Sequence, residues 1–170
     1  FGDGSAPLVT TTPSASHTYA NPGYYTVSLY VTDGTHTASA TYVSEVHVVA
    51  PVIHVTDVNP DAALPYDSWN CAATNLQTAL DEAVDGCTIL IDNVALPVRD
   101  ATSVKVLKGV TIRSRNDDPL RAAIGRYGTT AKFRLLEINH ADAVISGVAL
   151  ENGYMEETYG VGGNLRISKA

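Results

Sequence analysis

From Thr88 onward the apolar residues come in short clusters closed off by polar turn formers. The clusters are Thr88-Ile89-Leu90-Ile91-Asp92, Val104-Lys105-Val106, Val110-Thr111-Ile112-Arg113, 133–138, 144–150 and Leu165-Arg166-Ile167. Each is too short and too rich in β-branched residues for a helix, and each reads as a strand. Strands this short cannot bury a core singly, so they must lie on one another. Ile89 and Val110 are 21 positions apart, and Ile145 and Ile167 are 22 apart. A spacing in the low twenties, with one or two short strands per turn, predicts a coiled solenoid whose inward Val, Ile and Leu shelter between neighbouring turns.

The first turn of such a stack has an exposed edge and needs a cover. The segment ahead of it supplies a helical pattern. Leu76, Ala79, Leu80, Ala83 and Val84 recur at helical spacing. Thr74-Asn75-Leu76-Gln77 fits a capping box, with Thr74 as N-cap and Gln77 reaching back, and Gly86 is the stop signal. A helix over Asn75–Val84 is placed to be the cap. Cys71 and Cys87 flank it. A ten-residue helix is about 15 Å long, whereas a disulfide needs Cα atoms within about 7 Å, so two unpaired, buried thiols are expected.

Residues 1–50 follow a different pattern. In Tyr25–Thr32, Tyr25, Val27, Leu29 and Val31 alternate strictly with Thr26, Ser28, Tyr30 and Thr32, as in a half-buried antiparallel strand. Asp33-Gly34 is a hairpin turn and 37–48 the returning strand. Two strands are not independently stable, so this piece requires further strands. Phe1-Gly2-Asp3-Gly4-Ser5 is a glycine turn, Thr10–Ser16 a loop, and Ala50-Pro51 a boundary.

The order FGDGS (Phe1–Ser5), His17-Thr18-Tyr19 and the 23–34 run GYYTVSLYVTDG resembles the polycystic-kidney-disease-type (PKD) repeat. That resemblance implies an immunoglobulin-like β-sandwich serving as a spacer or binding module on secreted and surface proteins. It implies no catalytic residue, and it makes His17 a structural residue. A whole sandwich has about seven strands, so the N-terminal strands are expected to be missing. The second part resembles the N-terminal part of a right-handed parallel β-helix of the pectate-lyase-like superfamily. The matching residues are 73–83 (ATNLQTALDEA), 85–91 (DGCTILI), 109–114 (GVTIRS) and 144–153 (VISGVALENG). Cys87 stands where an Asp is usual. Such helices run to many more turns, so the chain is expected to be cut at its end as well. The resulting fold class is mainly β: residues 1–50 a partial PKD-type sandwich, 51–170 the helix-capped first coils of a parallel β-helix.

Charge narrows the partners. Residues 1–98 hold ten Asp or Glu and no Lys or Arg, whereas 99–170 hold all eleven basic residues and eight acidic ones. Nothing in the first part can neutralise phosphate, which excludes a nucleic-acid partner there. The basic residues of the second part are scattered and read as a solvated β surface. Attraction between the oppositely charged parts of different copies is the sharper alternative. No apolar run is long enough to span a membrane, while the 45% hydrophobic content is enough for a packed core.

Candidate chemistry is sparse. Asp57-Val58-Asn59-Pro60-Asp61 resembles the opening of a calcium loop, but Ala62 stands at the required Gly and Ser68 at the required Glu, so it reads as a turn. Asn116-Asp117-Asp118 and Glu156-Glu157 are acidic pairs in turns or loops. Trp69 reads as the seal of a core end, with sugar stacking as the alternative. His17, His36, His47, His54 and His140 are dispersed, at no zinc spacing to either cysteine. Asn139 and Asn152 follow strands, where turn side chains can satisfy backbone groups. No catalytic, cofactor-binding or metal residues are assigned, and no cofactor is expected. The expected function is a secreted or cell-surface structural or adhesive module. It would be non-catalytic in this segment and able to self-assemble into a fibre through exposed β edges, with polysaccharide as a further partner. The alternatives are a fragment of a polysaccharide lyase or hydrolase with an accessory PKD module, and a carbohydrate-binding module.

Overall fold

The computed structural model describes residues 1–33, 40–100, 102–154 and 163–168. The chain divides into two compact units, Phe1–Val49 and Ala50–Ala170. The turn residue Gly34 and His36 lie outside the described residues, as do 37–39 of the expected returning strand and the Glu156-Glu157 pair.

In the first unit β1 (Gly23–Val31) pairs antiparallel with β2 (Ala40–Val48), from Gly23 opposite Val48 to Val31 opposite Ala40. Alternation along β1 is only partly converted into burial. Tyr25 and Val27 are half-buried, but Leu29 and Val31 of the same face are more than half exposed. The expected half-buried strand is thus realised at its start alone, where the N-terminal segment covers it. Gly2 takes φ +85°, and a Cβ there would lie 2.5 Å from the Thr26 carbonyl oxygen. Only glycine permits that close crossing over β1.

The second unit is built from three parallel sheets. β3 (Val52–Val55), β4 (Thr88–Ile91), β7 (Thr111–Ser114) and β10 (Val144–Ser146) form the first, in the order β10-β7-β4-β3. The second is β11-β8-β5, from Ala95–Pro97 (β5), Ala123–Gly125 (β8) and Ala149–Glu151 (β11). The third is β12-β9-β6, from Val104–Val106 (β6), Leu136–Ile138 (β9) and Leu165–Ile167 (β12). From β4 onward the chain visits first, second and third sheet in turn, three times over. Ile53, Ile89, Ile112 and Ile145 stand side by side across the first sheet. Leu96, Ile124 and Leu150 do so in the second, and Val106, Ile138 and Ile167 in the third. All of these except Ile145, Leu150 and Ile167, on the last strands, are buried.

Three expectations are corrected by the register. The neighbour of Ile89 is Ile112, not Val110, and Ile112 neighbours Ile145, so the spacing runs from 23 to 33 positions rather than holding in the low twenties. Ile145 and Ile167 lie in different sheets and measure no repeat. The 144–150 run is two strands, β10 and β11, separated by a corner at Gly147 with φ +58°.

The helix α1 is Leu76–Glu82, with Leu76, Ala79 and Leu80 buried. Its N-cap is Asn75, not Thr74: the Asn75 side chain accepts from Gln77 N and Thr78 N. Asn is a better cap than Thr, and the cap sits one residue further along. The chain leaves the helix at Ala83, which puts Val84 out at 50% exposure instead of on the apolar face. Gly86 makes the following turn with φ +88°. Gln77 does not reach back. Its Oε1 accepts from Lys105 N at 2.8 Å, and its Nε2 donates to Asp81 Oδ1 at 2.9 Å. At the other end Lys108 Nζ donates to the carbonyls of Leu80, Asp81 and Ala83. A cation on the last carbonyls offsets the negative end of the helix dipole.

Two substitutions compare these contributions, with urea unfolding read by the single Trp fluorescence. Ile112→Ala removes an interior rung and is expected to cost about 3–4 kcal/mol. Lys108→Met removes the helix-end bonds but keeps the stem, and is expected to cost about 1–2 kcal/mol.

Candidate functional site

The free edge of β3 is where the second unit concentrates its functional-looking side chains. His54 N donates to Tyr66 O, Ala73 N to His54 O, and Thr56 N to Ala73 O, at 2.8–2.9 Å. The segment Asp57–Asn75 therefore lies along β3 as a cover. Asn59 anchors it, donating to Asn70 O and Ala72 O and accepting from Asp61 N. Asp57 gives its carbonyl to Arg99 Nη2 at 3.1 Å. The residues that resemble a calcium loop are thus an asparagine-centred turn.

Trp69 opens the short 3-10 turn Trp69–Cys71 and is half-buried. Its ring meets the His54 ring edge-on at 4.5 Å, and the Arg115 guanidinium lies 5.0 Å above the indole. Arg115 in turn reaches Asp92 at 3.5 Å. The indole thus packs edge-on against a β3 side chain and carries a guanidinium on its face. Of the thiols, Cys87 is buried and Cys71 only half-buried, beside Ser68 and Asp67, and both are free.

The acidic pair in the 116–118 turn is fully engaged. Asp117 takes φ +53°, and its Oδ1 accepts from the Ser146 hydroxyl. Asp118 accepts from Leu120 N at 2.9 Å and pairs with Arg121 at 3.3 Å, while its own N–H donates to the buried Ser114. Beyond that turn a depression of about 180 Å³ lies over the second sheet, with Leu120, Tyr127 and Glu151 among its walls. Tyr127 donates to Glu151 Oε2 at 2.7 Å. Burial, and then that bond, push the phenol up to about 12. This leaves a neutral hydrogen-bond donor, not a nucleophile. Arg134 is buried and pairs with Glu137 at 3.5 Å.

Among the described residues the histidines stay apart. His47 stacks on Tyr24, and His140 Nδ1 accepts from Asp142 N. His17 has the most elaborate setting. It stacks on Phe1 at 4.0 Å, meets Tyr19 edge-on at 4.8 Å, and sits 2.6 Å from Asp3 Oδ2. Tyr19 stacks on Tyr25 and donates to Phe1 O, while Asp3 also accepts from Ser5 N. The bond from the Ser5 side chain, and then that from His17, hold the Asp3 carboxyl far below its ordinary range. Burial, followed by the Asp3 charge, raises Tyr19. Among the described residues no three His, Cys, Asp or Glu side chains gather as a metal site.

Sequence reasoning gave Gln77 the wrong backbone partner, and missed Lys108 and Asn164 as side chains that complete backbone. Asn164 donates to Leu150 O and accepts from Gly153 N at 2.7–2.9 Å. It does for the strand end what Asn139 and Asn152 were expected to do. Asn152 instead sits at φ +60° and offers its carbonyl to Arg126.

Structure and chemistry together define a mainly β, parallel-sheet unit preceded by a small aromatic-clasped β unit. The family model of the PKD domain matches residues 1–48. PKD domains are typically extracellular structural or adhesive modules. No curated protein and no solved structure matches the chain. No helix among the described residues is long and apolar enough to cross a membrane.

The Asp3 clasp gives a pH signature. A carboxyl depressed in the folded state contributes stability that is complete above its ordinary value of 3.8 and is lost as the pH falls toward the folded value. The Tm of the first unit, followed by near-ultraviolet circular dichroism of its tyrosines, is therefore expected to fall on acidification below that value. Asp3→Asn should flatten the slope, and an unchanged slope would remove Asp3 from the account.

Proposed function

We propose that this chain is a structural or adhesive segment of an extracellular surface protein, in which a PKD sandwich spacer leads into the helix-capped first coils of a right-handed parallel β-helix of the pectate-lyase-like kind. The observation that carries the reading is the use made of polar side chains. Asp3, Asn59, Gln77, Asp85, Lys108, Asp118 and Asn164 each hold backbone groups. These seven side chains are spent on keeping strands and turns in place. A lyase or hydrolase site needs carboxylates and cations that converge on an open space and keep free valences. The fold alone does not decide between these roles, because one scaffold carries many functions.

Several features support the surface assignment: the PKD match, the low charge content of 17%, and a shaft in which every rung shelters its neighbours. The test is incubation of the protein with polygalacturonate and other acidic polysaccharides plus calcium, followed by absorbance of unsaturated product. No product above a protein-free control is expected. Sustained release of unsaturated product would replace this reading with the lyase one.

A further inference from the structure

In the first unit, residues 6–16 join the two feet of the clasp. Phe1, Asp3 and Ser5 stand on one side of them, His17 and Tyr19 on the other. The feet are pinned together: His17 sits 2.6 Å from Asp3 Oδ2 and stacks on Phe1 at 4.0 Å, and Tyr19 donates to Phe1 O. A segment whose ends are held side by side in this way is an Ω-type surface loop, a form that often carries function. Every residue of 6–16 is exposed, and among the described residues none shares a main-chain hydrogen bond with the strands. The clasp fixes the ends of the loop and makes no demand on its crest.

The crest has a composition of its own. Val9-Thr10-Thr11-Thr12-Pro13-Ser14-Ala15-Ser16 holds five hydroxyls, one proline and no charge. Hydroxyl-rich, proline-containing segments are the composition of O-glycosylated stalks. Pro13 lacks an N–H and disfavours a helix at Thr12, so the run stays open to an enzyme that binds extended peptide. Two of the hydroxyls are engaged within the loop. Thr10 Oγ1 lies 2.7 Å from Thr12 Oγ1 and accepts from Thr12 N, while Thr12 Oγ1 donates to Ser14 O. The hydroxyls of Thr11, Ser14 and Ser16 have no protein partner among the described residues. Beside them Val9 is 92% and Leu8 54% exposed. A sugar, with C–H faces for these side chains and hydroxyls for water, suits that surface.

We propose that this loop is an O-glycosylation site, with Thr11 as the first acceptor and Ser14 and Ser16 as further ones. The inference rests on the extracellular reading above, because the loop would meet its transferase on the route out of the cell. The donor is a sugar activated by a phosphate ester at its anomeric carbon. The bond from Thr11 Oγ1 to that carbon forms as the carbon–oxygen bond to phosphate breaks. The phosphate leaves with the electron pair, and the hydroxyl proton passes to a base of the transferase. No strand pairing has to open, and the clasp beneath stays closed.

The test is mass spectrometry of the intact protein and its peptides, purified separately from the surface and the interior of the cells that produce it. Trypsin finds no Lys or Arg before Arg99, whereas cleavage before aspartate frees 3–32. The expected result is that 3–32 from the surface fraction carries hexose or N-acetylhexosamine increments, one of them placed on Thr11 by electron-transfer fragmentation. Thr11→Ala should lose that increment and leave the Tm of the first unit unchanged, which separates loss of an acceptor from misfolding. Surface protein with a bare Thr11 overturns this proposal and leaves the extracellular reading standing. Protein found only in the interior overturns both.

Discussion

A parallel strand leaves a row of donors and acceptors bare on any side that has no neighbour, and the stability of the second unit depends on how the first such row is met. β3 is met by main chain, from Tyr66 and Ala73. β6 is met by one side-chain amide, from Gln77. A primary amide carries the same donor and acceptor as a peptide group, so Gln77 stands in for a strand without adding one. The helix that carries Gln77 is only seven residues long, too short to be stable by itself. Asn75 fixes its start, Lys108 its end, and three buried aliphatic side chains its floor. Cover and stack are therefore mutually dependent.

Much of this was legible. The four aliphatic strands of the first sheet, with β6, β9 and β12 of the third, carry enough Val, Ile and Leu to announce themselves. Of the second sheet only β11 fell inside a run read as a strand, and there it was merged with β10. Ala95-Leu96-Pro97, Ala123-Ile124-Gly125 and Ala149-Leu150-Glu151 each contain one large apolar residue, and a single residue has no period. Their pairing is imposed by the sheets on either side. Register failed for the same reason, since the number of residues per turn is set by corners whose length leaves no hydrophobic trace. The capping box failed by one position because Thr74 and Asn75 are both good caps, and Asn, the better of the two, takes the place.

The candidate site shows what motif reasoning sees and what it misses. Acidic pairs and a broken calcium loop were read as turns, and the hydrogen bonds of Asn59, Asp117 and Asp118 explain why those residue types are there. The tether from Lys108 to α1 joins residues 25 to 28 positions apart. No local pattern signals such a bond. In the first unit the PKD-like signature of Phe1, Asp3, His17 and Tyr19 was readable because its members recur in order, and they meet as one aromatic and hydrogen-bonded clasp beside β1.

The unequal turn lengths have an evolutionary corollary. Neighbouring isoleucines in the first sheet are separated by 23 residues in one circuit and 33 in the next, yet they arrive at the same register. The cross-section is conserved while the corners absorb the difference, as at Leu120, which projects almost wholly into solvent. Such corners can accept insertions, tags or grafted recognition peptides without disturbing the shaft. A lineage carrying this architecture could vary what it displays while leaving untouched what it is made of.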